Sequence, residues 1–160
     1  MRRQLLSPSF LLYNAFFWIN LLLIAEKAIK LTMSLLLSII EIGGYTDFNP
    51  VYRQQGYQTI SVTSVRKAIS SMKKQAPAVI VAEFNFQSDF RDRTSSLETL
   101  LATLQGQYPD CKVIVLYEKE FASAFARLKD NYPIDYALSF PVSADDMSAA
   151  LAAINDKGMA

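Results

Sequence analysis

The chain has 160 residues, is 51% hydrophobic, and carries a formal net charge of +1, which suits a single packed domain of ordinary composition. Histidine is absent and Cys111 is the single cysteine, so an intramolecular disulfide, a multi-cysteine metal site, and Ser-His-Asp or Cys-His catalysis are excluded. Residues 1–32 hold Arg2, Arg3, Lys27 and Lys30 against Glu26, leaving twelve basic groups (16 less 4) and fourteen acidic ones (15 less 1) in the remainder, a slightly acidic balance without the footprint of a nucleic-acid binder.

Leu5 to Ala25 is strongly apolar, and as a helix it would span about 31 Å, close to a bilayer core. Ser7, Pro8, Ser9, Asn14 and Asn20 interrupt it, and buried amides in lipid need partners. Three readings stay open: a membrane anchor, a signal peptide with Arg2 and Arg3 as its basic start, or a misplaced start with the domain beginning at Met33. The domain division is therefore 1–32 and 33–160.

From Met33 onward, apolar runs alternate with helical stripes. Ser34–Ile42 is a continuous apolar run closed by Gly43-Gly44 and reads as a buried strand. Asp47–Gln55 is a short helix stopped by Gly56, and Tyr57–Val62 a second strand. In Ser64–Gln75, Val65, Ile69 and Met72 share one helical face, with Pro77 as a stop. Ala78–Phe84 is a third strand, followed by a polar loop from Gln87 to Thr94. Ser95 and Glu98 form a capping box ahead of the Leu97, Leu100, Leu101, Leu104 stripe, and Gly106 is expected to end that helix. Lys112–Tyr117 is the fourth strand. Phe121, Phe125 and Leu128 mark a helix ending before Pro133, and Ile134–Ser139 is the fifth strand. Ser143 with Asp146 caps a last helix carrying Met147, Leu151 and Ile154. Strand–helix alternation repeated five times implies a flavodoxin-like, doubly wound five-stranded parallel sheet in the order 2-1-3-4-5.

The segments QAPAVIVAEFNF (75–86), YPDCKVIVLYEKE (108–120) and IDYALSFPVSADDMSAAL (134–151) resemble strands three to five of the receiver domain of bacterial response regulators. The resemblance implies a phospho-accepting aspartate at the position of Glu83, and a magnesium-holding acidic pair where only Glu41 offers a carboxylate. It implies a hydroxyl sensor at Tyr117, an aromatic switch at Ala137 and a lysine at Phe140, ahead of Pro141. Each of these positions departs from the family pattern, so the chain resembles a degenerate receiver, without catalysis, metal or cofactor. Phosphoryl transfer depends on cations facing the developing charge, and neither the lysine nor the paired acids are here. The resemblance further implies a cis bond at Phe140-Pro141, and a partner surface on the last two helices and the strand between them, with Lys119, Glu120, Arg127, Lys129, Tyr132 and Asp135 as candidates.

Several residues carry two readings. Glu83 either imitates a phosphorylated aspartate or is a solvated carboxylate at a strand end. Tyr117 and Ala137 are either a size exchange that conserves packed volume or independent drift. Gly43-Gly44 reads as a tight turn rather than a phosphate cradle, since GxGxxG and GxxxxGK[ST] are both missing. Phe84, Phe86 and Phe90 form either a docking patch or a cover, and Asp89, Arg91, Asp92 and Arg93 a solvated loop. The expected function is a stand-alone, phosphorylation-incompetent interaction module of bacterial signalling. It would be cytoplasmic, with another signalling protein or a second copy of itself as partner and no nucleic acid. The alternatives are a membrane-tethered recruitment protein anchored at the inner membrane, and a small-ligand protein on the flavodoxin-like scaffold.

Overall fold

Successive side chains of a strand point to opposite faces, and in this chain both faces are apolar. A computed structural model of the protein describes residues 18–24, 33–86 and 97–158. Strands β1 (Ser34–Ile39), β2 (Tyr57–Val62), β3 (Val79–Phe84), β4 (Lys112–Tyr117) and β5 (Tyr136–Ser139) alternate with helices α1 (Asn49–Gln54), α2 (Val65–Met72), α3 (Leu97–Gln107), α4 (Ala122–Asn131) and α5 (Ala144–Gly158). The strands form one sheet in the order β2-β1-β3-β4-β5, and every pairing is parallel. This is the flavodoxin-like fold expected from the alternation of elements.

One face of the sheet presents Leu37, Ile39, Ile80, Ala82, Val113 and Val115 to the buried residues of α2, α3 and α4. The other presents Leu36, Val79, Val81, Ile114 and Leu116 to Phe48 and Tyr52 beside β1 and to Met147, Leu151 and Ile154 of α5. Leu36, Ile80 and Ile114 are wholly buried. Burial on that scale stabilises by about 1.5–3 kcal/mol per large aliphatic side chain, which is why these unbroken apolar runs become central strands.

Element ends depart from the sequence reading where a side chain or a proline intervenes. β1 stops at Ile39 rather than Ile42: one more amide, that of Ile40, reaches β2, and those of Glu41, Ile42 and Gly43 turn to a carboxylate. α1 begins at Asn49, after Asp47 Oδ1 accepts from the Asn49 amide at 3.0 Å. α3 runs through Gly106 to Gln107, and the Tyr108 amide still donates to Leu104 at 2.8 Å; Pro109, which disfavours helical backbone at the residue before it, sets the end. β5 starts at Tyr136 rather than Ile134, since both the amide and the carboxylate of Asp135 are used on Val113.

Met1–Met33 and Ser34–Ala160 are separate compact units. In the first, residues 18–24 are helical and Trp18, Ile19 and Leu22 are exposed. No helix among the described residues is long and apolar enough to cross a membrane. The remainder of the apolar segment, its flanking charges, Ser95 of the expected capping box, and the loop with Asp89, Phe90, Arg91, Asp92 and Arg93 lie outside the described residues.

Candidate functional site

In a parallel α/β sheet the carboxyl ends of the strands border the usual ligand crevice. At the end of β3, alternation after Val79 and Val81 puts Glu83 on the face covered by α1 and α5. It is only 6% exposed, so it is not the solvated carboxylate that the sequence reading allowed. Its compensation comes from the chain just beyond β1. Ile40 still donates to Val62 at 2.9 Å; then the amides of Glu41 and Ile42 donate to Glu83 Oε2 at 2.8 and 2.7 Å, and that of Gly43 to Oε1 at 3.1 Å. Three consecutive N–H groups converging on one anion form a nest. Gly43 and Gly44 adopt φ of 72° and 86°, a left-handed backbone that side chains disfavour. The Gly-Gly turn does hold an anion, and that anion belongs to the chain itself.

Tyr45 completes the arrangement. Its hydroxyl is hydrogen-bonded to Glu83, and burial first, then the neighbouring carboxylate, push the phenol far above its ordinary value. Its ring lies 4.9 Å from that of Phe140 and 5.8 Å from that of Phe48. Glu41 is turned elsewhere: its Oε1 accepts from the Val65 amide at 3.3 Å, at the first turn of α2, where a carboxylate suits the unpaired amides and the helix dipole. Among the described residues no group of three His, Cys, Asp or Glu side chains is placed to hold a metal ion.

The sheet separates the six positions singled out from the sequence. Glu83, Phe140 and Pro141 line one open cleft of about 480 Å³, shared with Ile42, Tyr45 and Glu118 among others, and the Glu41 amide donates to Glu83. The Phe140-Pro141 bond is cis. Tyr117 and Ala137 belong to the opposite face, packed against the α2–α4 core. There Tyr117 stacks on Phe125 with ring centroids 4.4 Å apart and 14° between planes. Phe84 meets the edge of Phe125 at 5.4 Å and Phe86 lies 5.5 Å from Phe121, so these two phenylalanines cover the core instead of forming an open patch.

Of the candidate partner surface, Lys119, Glu120, Arg127 and Lys129 are exposed, whereas Tyr132 is half-buried against the core. The Asp135 carboxylate is engaged by the Val113 amide at 2.9 Å and by Lys112 at 3.5 Å. Cys111 lies in a second hollow between the carboxyl end of α3 and Asp135; burial, aided by Asp135, pushes its thiol up to about 12. Tyr45, Ile42 and Glu118 escaped the sequence reading. Nothing local marks them, because their setting is created by residues some forty positions away.

No family model and no curated protein matches the chain. Solved structures do. A response regulator receiver domain protein from Clostridium thermocellum has 16% identity and a TM-score of 0.62, over 79% of this chain and 98% of that one. A chemotaxis response regulator of Vibrio cholerae has 18% identity and a TM-score of 0.61, over 77% and 99%. The signal receiver domain of an HD domain-containing protein from Pseudomonas fluorescens Pf-5 has 14% identity and a TM-score of 0.62, over 79% and 98%. What the chain shares with them is the fold.

Proposed function

We propose that residues 33–160 form a receiver-like protein–protein interaction module of bacterial signalling, working in the cytoplasm without accepting a phosphoryl group. The carrying observation is the engagement of Glu83. Both carboxylate oxygens accept backbone hydrogen bonds at 2.7–3.1 Å, Tyr45 adds its hydroxyl, and the side chain is buried. A nucleophile for phosphoryl transfer needs a free lone pair facing an approaching phosphorus and cationic groups to meet the charge. In this cleft Phe140 rests against Tyr45 where the receiver pattern has a lysine, and Glu41 serves α2. Three hydrogen bonds tie the loop that follows β1 to Glu83, which suits a constant binding surface better than a switch.

Beryllofluoride with Mg²⁺ tests this reading. The expected amide NMR spectrum is unchanged; Mg²⁺-dependent shifts centred on Glu83, Ile42 and Gly43 would overturn the reading.

A further inference from the structure

We propose that the cleft beside Ile42 receives an arginine side chain of the partner protein, with the loop Glu41–Gly43 as a preformed platform. The inference rests on the interaction-module reading and places its contact at the carboxyl edge of the sheet.

Three observations converge. Ile42 is 71% exposed, and within residues 34–158 it is the one large hydrophobic residue so exposed among those described. Its amide is held by Glu83 at 2.7 Å, so the side chain projects from a backbone already ordered, and binding does not have to order that loop. Directly beside it lies the 480 Å³ cleft, walled by Tyr45, Phe140 and Val142. Aromatic faces with an adjoining carboxylate are the setting in which a cation is favoured.

Charge selects the occupant. Among the described residues lining the cleft the charged ones are Glu83 and Glu118, both acidic, with no lysine or arginine. Glu83 is consumed by the nest. Glu118 lines the cleft and is exposed, so it is accessible from solvent. A guanidinium stacks on aromatic rings and pairs with a carboxylate through its planar fork, whereas an ammonium is compact and strongly hydrated. Arginine therefore fits this wall better than lysine, and an acidic side chain is repelled. An apolar neighbour of that arginine would cover Ile42.

The probe is N-acetyl-arginine amide, titrated into the full chain and followed by amide NMR, with N-acetyl-glutamate amide as the reversed-charge control. The expected result is saturable shifts confined to Ile42, Gly43, Gly44 and Val142 for the arginine probe alone, with affinity on the order of millimolar. Glu118→Lys should weaken it by about tenfold or more without disturbing the rest of the spectrum. Ile42→Ala, at an exposed position, should weaken an acetylated Leu-Arg amide more than the arginine amide. Shifts scattered over the surface, an equal response to glutamate, or indifference to Glu118→Lys would overturn the proposal. A silent cleft in a chain that also ignores beryllofluoride sinks the arginine site alone; a chain that responds to beryllofluoride sinks the underlying reading whatever arginine does.

Discussion

The Glu83 carboxylate is held in its buried position by amides roughly forty residues earlier in the chain. Removing one partner of a buried hydrogen-bonded group leaves the others unsatisfied, which costs more than the bond itself contributes. Glu83→Ala is therefore expected to destabilise the domain by about 2–4 kcal/mol in denaturant unfolding and to speed hydrogen exchange at Glu41, Ile42 and Gly43. Glu83→Gln, keeping one acceptor oxygen, should lose less. A global loss of stability without faster exchange at those three amides would mean that Glu83 does not hold the loop. Sequence alone placed Glu83 at the right strand end but not in the right environment. Its face follows from alternation along β3, which was legible; its burial was not, because its partners come from a loop whose path depends on where β1 ends. The reading of Ser34–Ile42 as one strand hid that path, because apolarity continues through Ile42 while the ladder does not. Tyr117 and Ala137 lie on one face of neighbouring strands, but the register sets Tyr117 beside Ser139 and Ala137 beside Val115.

Helix ends show where short-range chemistry suffices. Ser143 and Asp146 were expected to cap the last helix, and they do so reciprocally: the Asp146 amide donates to Ser143 Oγ at 3.1 Å, while the Ser143 amide and hydroxyl donate to Asp146 Oδ2 at 3.0 and 2.6 Å. These bonds hold the Asp146 carboxyl below its ordinary value. A depressed folded-state value means that the stabilisation is present above the unfolded carboxylate range and is lost as pH falls through the lowered value. Ser143→Ala should cost about 1 kcal/mol and return the Asp146 midpoint, followed by NMR titration, toward that of an unperturbed aspartate; an unmoved midpoint would deny the coupling. The order of elements was readable because apolar runs and helical stripes alternate, most of them bounded by a glycine, proline or cap. The ends were less so. Gly106 lies inside α3, and any side chain there would meet open space, so glycine at that point is tolerated and stops nothing.

At the scale of the molecule the two faces of the sheet differ in chemistry. Tyr45, Tyr52 and Tyr57 all belong to the α1–α5 layer, and burial raises the phenol of each above its ordinary value of 10.0. Ser38 is the hydrogen-bond partner of Tyr52, and Asn155 that of Tyr57. The sign follows directly: the unfolded chain ionises first, so stability is full below the ordinary phenol value and falls as pH rises above it. Alkaline titration should show phenolate absorbance appearing together with the loss of far-ultraviolet circular dichroism. Phenolate formation by these tyrosines in a still-folded chain would contradict the burial. The α2–α4 layer carries Tyr108, Tyr117 and Tyr132 half-buried against its core, with Tyr117 stacked on Phe125.

The nest formed by Glu41, Ile42 and Gly43 also decides what the domain can sense. Any oxyanion arriving from solution must displace a competitor joined to the same chain, present at a high effective concentration and unable to diffuse away. Phosphate or a nucleotide titrated into the chain is therefore expected to leave the Glu41, Ile42 and Gly43 amide resonances unmoved. The seat for an anion is thus taken from within, and the proposed arginine contact would lie beside it.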